Sequence, residues 1–264
     1  MNALERLIDR QQAISSKLCV GLDTELTKIP DILRGTDHPI TSFNSAIIES
    51  TLMHAAAYKI NTAFYEQYGE SGWEAMKQTV GMIPENVFTI ADAKRADIGN
   101  TSSAYARAMF DDVNCDAITV NPYMGHDSLS PFLEREDRMV IVLALTSNPG
   151  SGDFQRLMCD GKPLYRHVIE KVLSWDSKAS IGFVIGATHP EELSIIREYA
   201  PESLLLIPGI GAQGGDIDAI MEANAGGPVL INVSRAIQYA GNGMDFGEKA
   251  CEAAQFYKER IGSS

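Results

Sequence analysis

The chain has 264 residues, is 45% hydrophobic, and sets 22 lysines and arginines against 35 aspartates and glutamates, a net charge of −13. That length can bury one sizeable core. The acidity argues against a nucleic-acid surface or an anionic membrane as partner, although a few cations in a cleft could still hold a small anionic substrate. The first segment, "MNALERLIDRQQAISSK", reads as an amphipathic helix with Leu4, Leu7 and Ile8 on one side rather than a signal peptide. No apolar run reaches membrane-spanning length.

Eight short apolar runs then recur: "KLCVGLD" (17–23), "AAYKINTAF" (56–64), "VFTIADAK" (87–94), "AITVNPY" (117–123), "MVIVLALTS" (139–147), "SIGFVIGA" (180–187), "LLLIPGIG" (204–211) and "PVLINVS" (228–234). Each is of strand length and rich in Val, Ile and Leu. Most lack alternation, as expected of parallel strands covered on both faces. Helical patterns separate them. "SFNSAIIESTLMHAA" has Thr41 and Ser42 as capping candidates, and "HPEELSIIREYA" has Thr188 or His189 before Pro190. "GGDIDAIMEANAGG" ends in glycines, and "FGEKACEAAQFYKER" closes the chain.

Eight strands alternating with helices predict an α/β fold, a (β/α)8 TIM barrel spanning 1–264 as a single domain. A doubly wound open sheet is the alternative, weakened because no GxGxxG run follows the first strand. The widest irregular piece, 148–163, suits a lid or binding loop as well as a plain surface excursion. Four cysteines lie far apart without ligand spacing; Cys19 and Cys115 read as buried hydrophobes, and a reducing cytoplasm fits best. The five histidines are scattered and read as surface or packing residues.

In such a barrel the reacting groups come from the C-terminal ends of the strands. Those ends offer Asp23, Lys59, Asp92 with Lys94, Asn121, Ser147, the glycines after Pro208 (Gly211 among them) and Arg235. Each alone has a plain structural use as a cap or turn; their gathering at one end favours function. "PGIGAQGGD" (208–216) lets backbone N–H groups approach an anion, and a helix starting near Gly214 adds its dipole. Arg235, in the next loop, has the planar fork that suits a phosphate.

"TIADAKRADIGN" (89–100) places Asp92, Lys94 and Asp97 within six positions. Side chains two apart on a strand share a face, so Asp92 and Lys94 project together. Lys94 among carboxylates is expected to keep its proton. That disfavours a Schiff-base lysine and favours one that stabilises and protonates a carbanion. A purely structural Asp–Lys pair competes with this reading. A Mg²⁺ site on Asp92, Asp97 and Asp23 is also conceivable, although Lys94 and Lys59 stand where further acidic ligands would be useful.

"DAKRADIGNT" (92–101) resembles the Asp-x-Lys-x-x-Asp-Ile-x-x-Thr signature of the orotidine 5′-phosphate decarboxylase family. "GLD", "YKIN", "LTSNPGS", "PGIGAQGG" and "NVSRAI" follow in the family's order, and the long form is most similar to its longer bacterial branch. The resemblance implies a homodimeric TIM barrel without metal or organic cofactor that converts orotidine 5′-monophosphate to uridine 5′-monophosphate and CO2. It implies that Lys94 stabilises and protonates the carbanion at pyrimidine C6 and that Asp92 lies beside the substrate carboxylate. Asp97, with Ile98 and Thr101, would enter the partner subunit's site. Asp23 and Lys59 would hold ribose hydroxyls, Ser147 would read the pyrimidine edge, and Gln213, Gly211 and Arg235 would serve the phosphate. Ser234 departs from the glycine that many relatives place before the arginine. One rival is a Mg²⁺-dependent decarboxylase of sugar-acid phosphates, against which Lys59-Ile60-Asn61 argues. The other is a catalytically silent nucleotide-binding barrel, from which a lysine or aspartate should be missing.

Overall fold

The computed structural model describes residues 1–186, 190–210 and 216–262. Every predicted strand is present: β1 (Leu18–Gly21), β2 (Ala57–Asn61), β3 (Phe88–Arg95), β4 (Ala117–Val120), β5 (Met139–Leu145), β6 (Ser180–Ile185), β7 (Leu204–Pro208) and β8 (Val229–Val233). They are parallel in chain order, and β8 pairs back onto β1, with Cys19 opposite Asn232. Closure leaves no free sheet edge.

The missing alternation has a visible cause. Successive residues of each strand enter two different apolar clusters. Cys19, Ala57, Ile90, Ala117, Ile141 and Leu230 fill the barrel lumen, whereas Val20, Tyr58, Ala91, Ile118, Val140 and Ile231 face the helices. Both faces are dry, so both carry apolar side chains.

Helix α1 (Ala3–Ile14) belongs to the lumen cluster rather than to the outer ring. Ala3 and Leu7 are fully buried against the N-terminal ends of the strands, with Leu4 packed beside them. Its first turn is fixed by a capping box, in which Glu5 N–H donates to Asn2 Oδ1 (2.9 Å) and Asn2 N–H to Glu5 Oε2 (2.8 Å).

The outer ring comprises α2 (Pro39–Thr51), α3 (Gly69–Met82), α4 (Gly99–Arg107), α5 (His126–Leu133), α6 (Leu164–Leu173), α7 (Pro190–Tyr199), α8 (Ile217–Asn224) and α9 (Phe246–Gly262). α9 packs on α2 and so closes the ring as β8 closes the sheet. Thr41 and Ser42 are not caps: α2 already starts at Pro39, whose fixed φ suits the first helical position. Thr188 and His189 lie outside the described residues.

The 148–163 stretch is more structured than its sequence suggested. It holds a short helix, Ser151–Phe154, and a two-residue ribbon pairing Met158–Cys159 with Lys162–Pro163. Gln155 anchors it to β5, since its Oε1 accepts Thr146 N–H at 2.7 Å. Cys19 and Cys115 are fully buried, and burial pushes both thiols up to about 12. Among the described residues no helix is long and apolar enough to cross a membrane.

Candidate active site

The lumen pattern sets the site. Two residues beyond Ala57, Ile90, Ala117 and Leu230, the same inward face presents Lys59, Asp92, Thr119 and Asn232. The C-terminal layer of the lumen is therefore polar where the layers beneath it are apolar.

Asp92 is the hub of that layer. Its Oδ2 accepts from Lys59 Nζ at 2.9 Å, and its Oδ1 accepts from Lys94 Nζ at 2.6 Å and from Thr119 Oγ1 at 2.9 Å. Lys59 Nζ also lies 3.5 Å from Asp23 Oδ1. Burial is the strongest influence on Lys59 and disfavours its ammonium. Asp23 and Asp92 nevertheless override it and hold the pKa above the ordinary lysine value. Burial likewise pushes the Asp92 carboxyl up, but Lys59 and Lys94 outweigh it and hold it well below the usual carboxylate range. Lys59 is only 4% exposed. Apolar residues of similar volume would hold such a position at least as well, so the array is not explained by stability.

Lys94 sits in a β-bulge, where the β3–β4 register shifts between Ala91 and Arg95. Its φ is +49°, a left-handed conformation that costs a non-glycine residue about 1–3 kcal/mol. Thr119 steadies it: Lys94 N–H donates to Thr119 Oγ1 at 3.0 Å while the same hydroxyl donates to Asp92. The bulge thus aims a half-exposed ammonium over the buried carboxylate instead of out along the strand.

Asp23 is held from behind by the segment after β8. Gln238, fully buried, accepts Asp23 N–H at 3.0 Å and donates to Thr24 Oγ1 at 3.0 Å. Tyr239 OH donates to Asp23 O at 3.2 Å and accepts Glu25 N–H at 2.9 Å. Behind Thr24 a buried chain continues through Asn44 to Tyr65 and Thr79.

A cleft of about 600 Å³ opens above this layer, lined by Asp23, Lys59, Asn61, Asp92, Asn232 and Arg235. Arg235 is exposed and starts the short helix Arg235–Gln238. Beside it Ser234 faces Gly21. A Cβ at Gly21 would fall 2.7 Å from Ser234 Cβ, so the serine fits only because β1 ends in glycine. Ser147 follows β5 and lies against Gly186, where a Cβ would fall 2.6 Å from Ser147 N.

Three expected residues stand apart within one chain. Asp97 is half-buried and its Oδ1 accepts the N–H of Ile98; Ile98 and Thr101 are exposed. Among the described residues no three His, Cys, Asp or Glu side chains are grouped to hold a metal ion, so Asp92, Asp97 and Asp23 are not assembled into one site. Gly211, Gln213 and Gly214 lie outside the described residues. The described helix of that region, α8, begins at Ile217. Its first amides are taken by Asp216, whose Oδ1 accepts Asp218 N–H at 3.0 Å and Ala219 N–H at 3.4 Å. Its N-terminus is therefore capped by the chain's own carboxylate rather than left free for an anion.

Sequence reasoning passed over Thr119, Asn232 and Gln238. For the first two a signal was available, a lone polar residue inside the apolar runs "AITV" and "VLINV". Gln238 gave none.

A closed parallel barrel whose C-terminal end joins a lysine–aspartate–lysine array to a cleft that an arginine also lines defines a (β/α)8 enzyme for a small anionic substrate. The comparisons narrow the class. The family model described as "Orotidine 5'-phosphate decarboxylase / HUMPS family" matches residues 16–249. The orotidine 5'-phosphate decarboxylase of Flavobacterium johnsoniae is 50% identical over 244 residues, covering 90% of this chain and 89% of that protein. The one from Herpetosiphon aurantiacus is 48% identical over 244 residues, covering 92% of this chain and 91% of that protein. Among solved structures, Leishmania donovani OMP decarboxylase superposes with a TM-score of 0.87 at 37% identity, covering 100% of this chain and 98% of that one. The chain belongs to the orotidine 5′-phosphate decarboxylase / HUMPS family.

Proposed function

We infer that this protein decarboxylates orotidine 5′-monophosphate to uridine 5′-monophosphate and CO2, as a catalytic unit spanning residues 1–264. The observation that carries the reading is the Lys59–Asp92–Lys94 array, whose Lys59 and Asp92 line one cleft with Arg235.

In the proposed complex Arg235, Gln213 and Gly211 hold the phosphate. Asp23 and Lys59 take ribose hydroxyls, and Ser147 reads the pyrimidine edge. This fixes the substrate carboxylate beside Asp92. The bond from C6 to the carboxylate breaks, CO2 leaves, and the electron pair stays on C6. The Lys94 ammonium stands where that charge develops, stabilises it and then gives C6 a proton. Solvent restores the proton to the amine. Asp92 holds Lys94 in place and disfavours the neighbouring substrate carboxylate; contacts to the remote phosphate hold the ring against that repulsion. The step balances without metal or organic cofactor.

Asp97, Ile98 and Thr101 are proposed to complete the site of a second copy. They precede or open α4, which packs on α5, and Ile98 itself and Tyr123 and Met124 just before α5 are exposed. Apolar exposure of that kind suits a homodimer contact. Four free thiols suit a reducing cytosol.

The Mg²⁺-dependent sugar-acid phosphate decarboxylase remains the second reading, and the ammonium of Lys59 at the end of β2 speaks against it. The test is turnover of orotidine 5′-monophosphate by chelator-treated protein, followed as loss of orotate absorbance. Rapid conversion is expected. No conversion, with activity on sugar-acid phosphates once Mg²⁺ is added, would reverse the assignment.

A further inference from the structure

Asn232 is one of the polar residues of the cleft, with Asn61 and Ser234, that this mechanism leaves unused. It stands on the lumen face of β8, is 7% exposed, and lines the same cleft as Lys59 and Arg235. Its Oδ1 is buried and has no hydrogen-bond partner among the described residues. An unpartnered amide at a buried position destabilises the empty protein, and a leucine of similar volume would serve the barrel better. The position is also kept open. Gly21, on the adjoining strand, leaves room that a Cβ would close to 3.3 Å from Asn232 Oδ1. A second acceptor in the same cleft is short of donors: Asp23 Oδ1 makes no hydrogen bond and only approaches Lys59 Nζ at 3.5 Å. Two unmet acceptors in one cleft call for a ligand with two donors.

Resting on the reading above, the pyrimidine lies toward Asp92 and Lys94 and the phosphate toward Arg235, so the sugar lies between them, beside Asn232. We propose that Asn232 is a ribose-binding residue whose side-chain amide exchanges a hydrogen bond with one of the two ribose hydroxyls, alongside Asp23. A hydroxyl both donates and accepts, so it can meet either end of the amide.

The test uses Asn232→Leu, with Asn232→Ala as a second variant. Binding of uridine 5′-monophosphate, its 2′-deoxy and its 3′-deoxy analogues is measured, together with the melting temperature without ligand. Asn232→Leu should melt higher than wild type yet bind uridine 5′-monophosphate about tenfold more weakly. One of the two deoxy analogues should bind variant and wild type within about twofold, because it lacks the hydroxyl that Asn232 reads. In Asn232→Ala the same analogue should again be the one whose affinity is unchanged. Unchanged affinity for uridine 5′-monophosphate would overturn the proposal, and so would equal weakening of all three ligands. If the wild type binds none of the three, the nucleotide reading falls first and this proposal with it.

Discussion

The two ends of the barrel are built from similar side chains on the same strands, and they differ in what they leave unmet. At the N-terminal end, Asp116 precedes β4 and meets Thr89 of β3 and Arg6 of α1. Its Oδ2 accepts Thr89 N–H and Oγ1–H, both at 2.9 Å, and its Oδ1 accepts from Arg6 at 2.7 Å. Asp116 N–H returns to Thr89 Oγ1 at 3.0 Å, so both oxygens and the amide of Asp116 are met. At the C-terminal end, Asp92 meets Thr119 and two lysines, but Asp23 Oδ1 and Asn232 Oδ1 have no hydrogen-bond partner among the described residues and Arg235 stands exposed. An aspartate, a threonine and a cation occur at both ends. Among the described residues the two ends differ in the kind of group left over: two unmet acceptors line the C-terminal cleft, whereas the pocket beside Asp116 and Arg6 holds an unmet donor, Arg10 Nε.

The comparison breaks most visibly at Lys94. Lys94→Ala should lower turnover by at least about a thousandfold while uridine 5′-monophosphate still binds within a few-fold of wild type, read by steady-state kinetics and titration. Next comes Arg235→Ala, expected to weaken uridine 5′-monophosphate about 10- to 100-fold, since it removes charge-assisted hydrogen bonds. The opposite end should show the opposite signature. Asp116→Ala is expected to destabilise by about 2 kcal/mol in denaturant unfolding while leaving turnover within about twofold.

A finer test concerns the seam between β1 and β8. Gly21→Ala should destabilise by about 1–3 kcal/mol by crowding Ser234, and Ser234→Gly in the same chain should recover most of it. The smallest effect is on acid stability. Asp92 titrates lower in the folded protein than in the unfolded chain, so its contribution is complete above about pH 4 and fades as pH falls from there toward the folded value. The stability gap between wild type and Asp92→Asn should shrink in that range and stay flat from about pH 5 to 9.

The barrel was legible because its strands are buried on both faces and so appear as unbroken apolar runs between helical patterns. Asp92, Lys94, Lys59, Asp23 and Arg235 were legible for a related reason. Any one charge at the end of such a run could serve as a cap or turn, but their gathering at one end of the barrel favours a shared role. Helix starts were harder: Pro39 displaced Thr41 and Ser42 because a fixed φ begins a helix as well as a capping hydroxyl does. The helix dipole expected to start near Gly214 lies outside the described residues, and the described helix that follows, α8, is capped by Asp216. Thr119 and Asn232 were hidden inside apolar runs, and their roles emerge only when closure brings β4 beside β3 and β8 beside β1. Gln238 was the least visible. It acts through Asp23 across a seam of 215 residues in sequence.

The most direct test of the central claim is a paired measurement on Lys94→Ala: turnover of orotidine 5′-monophosphate and affinity for uridine 5′-monophosphate in the same preparation. If Lys94 stabilises and protonates the carbanion, turnover disappears and affinity persists. Substantial residual turnover would contradict that role and return Lys94 to the status of Arg6 at the other end, a cation that holds the barrel together.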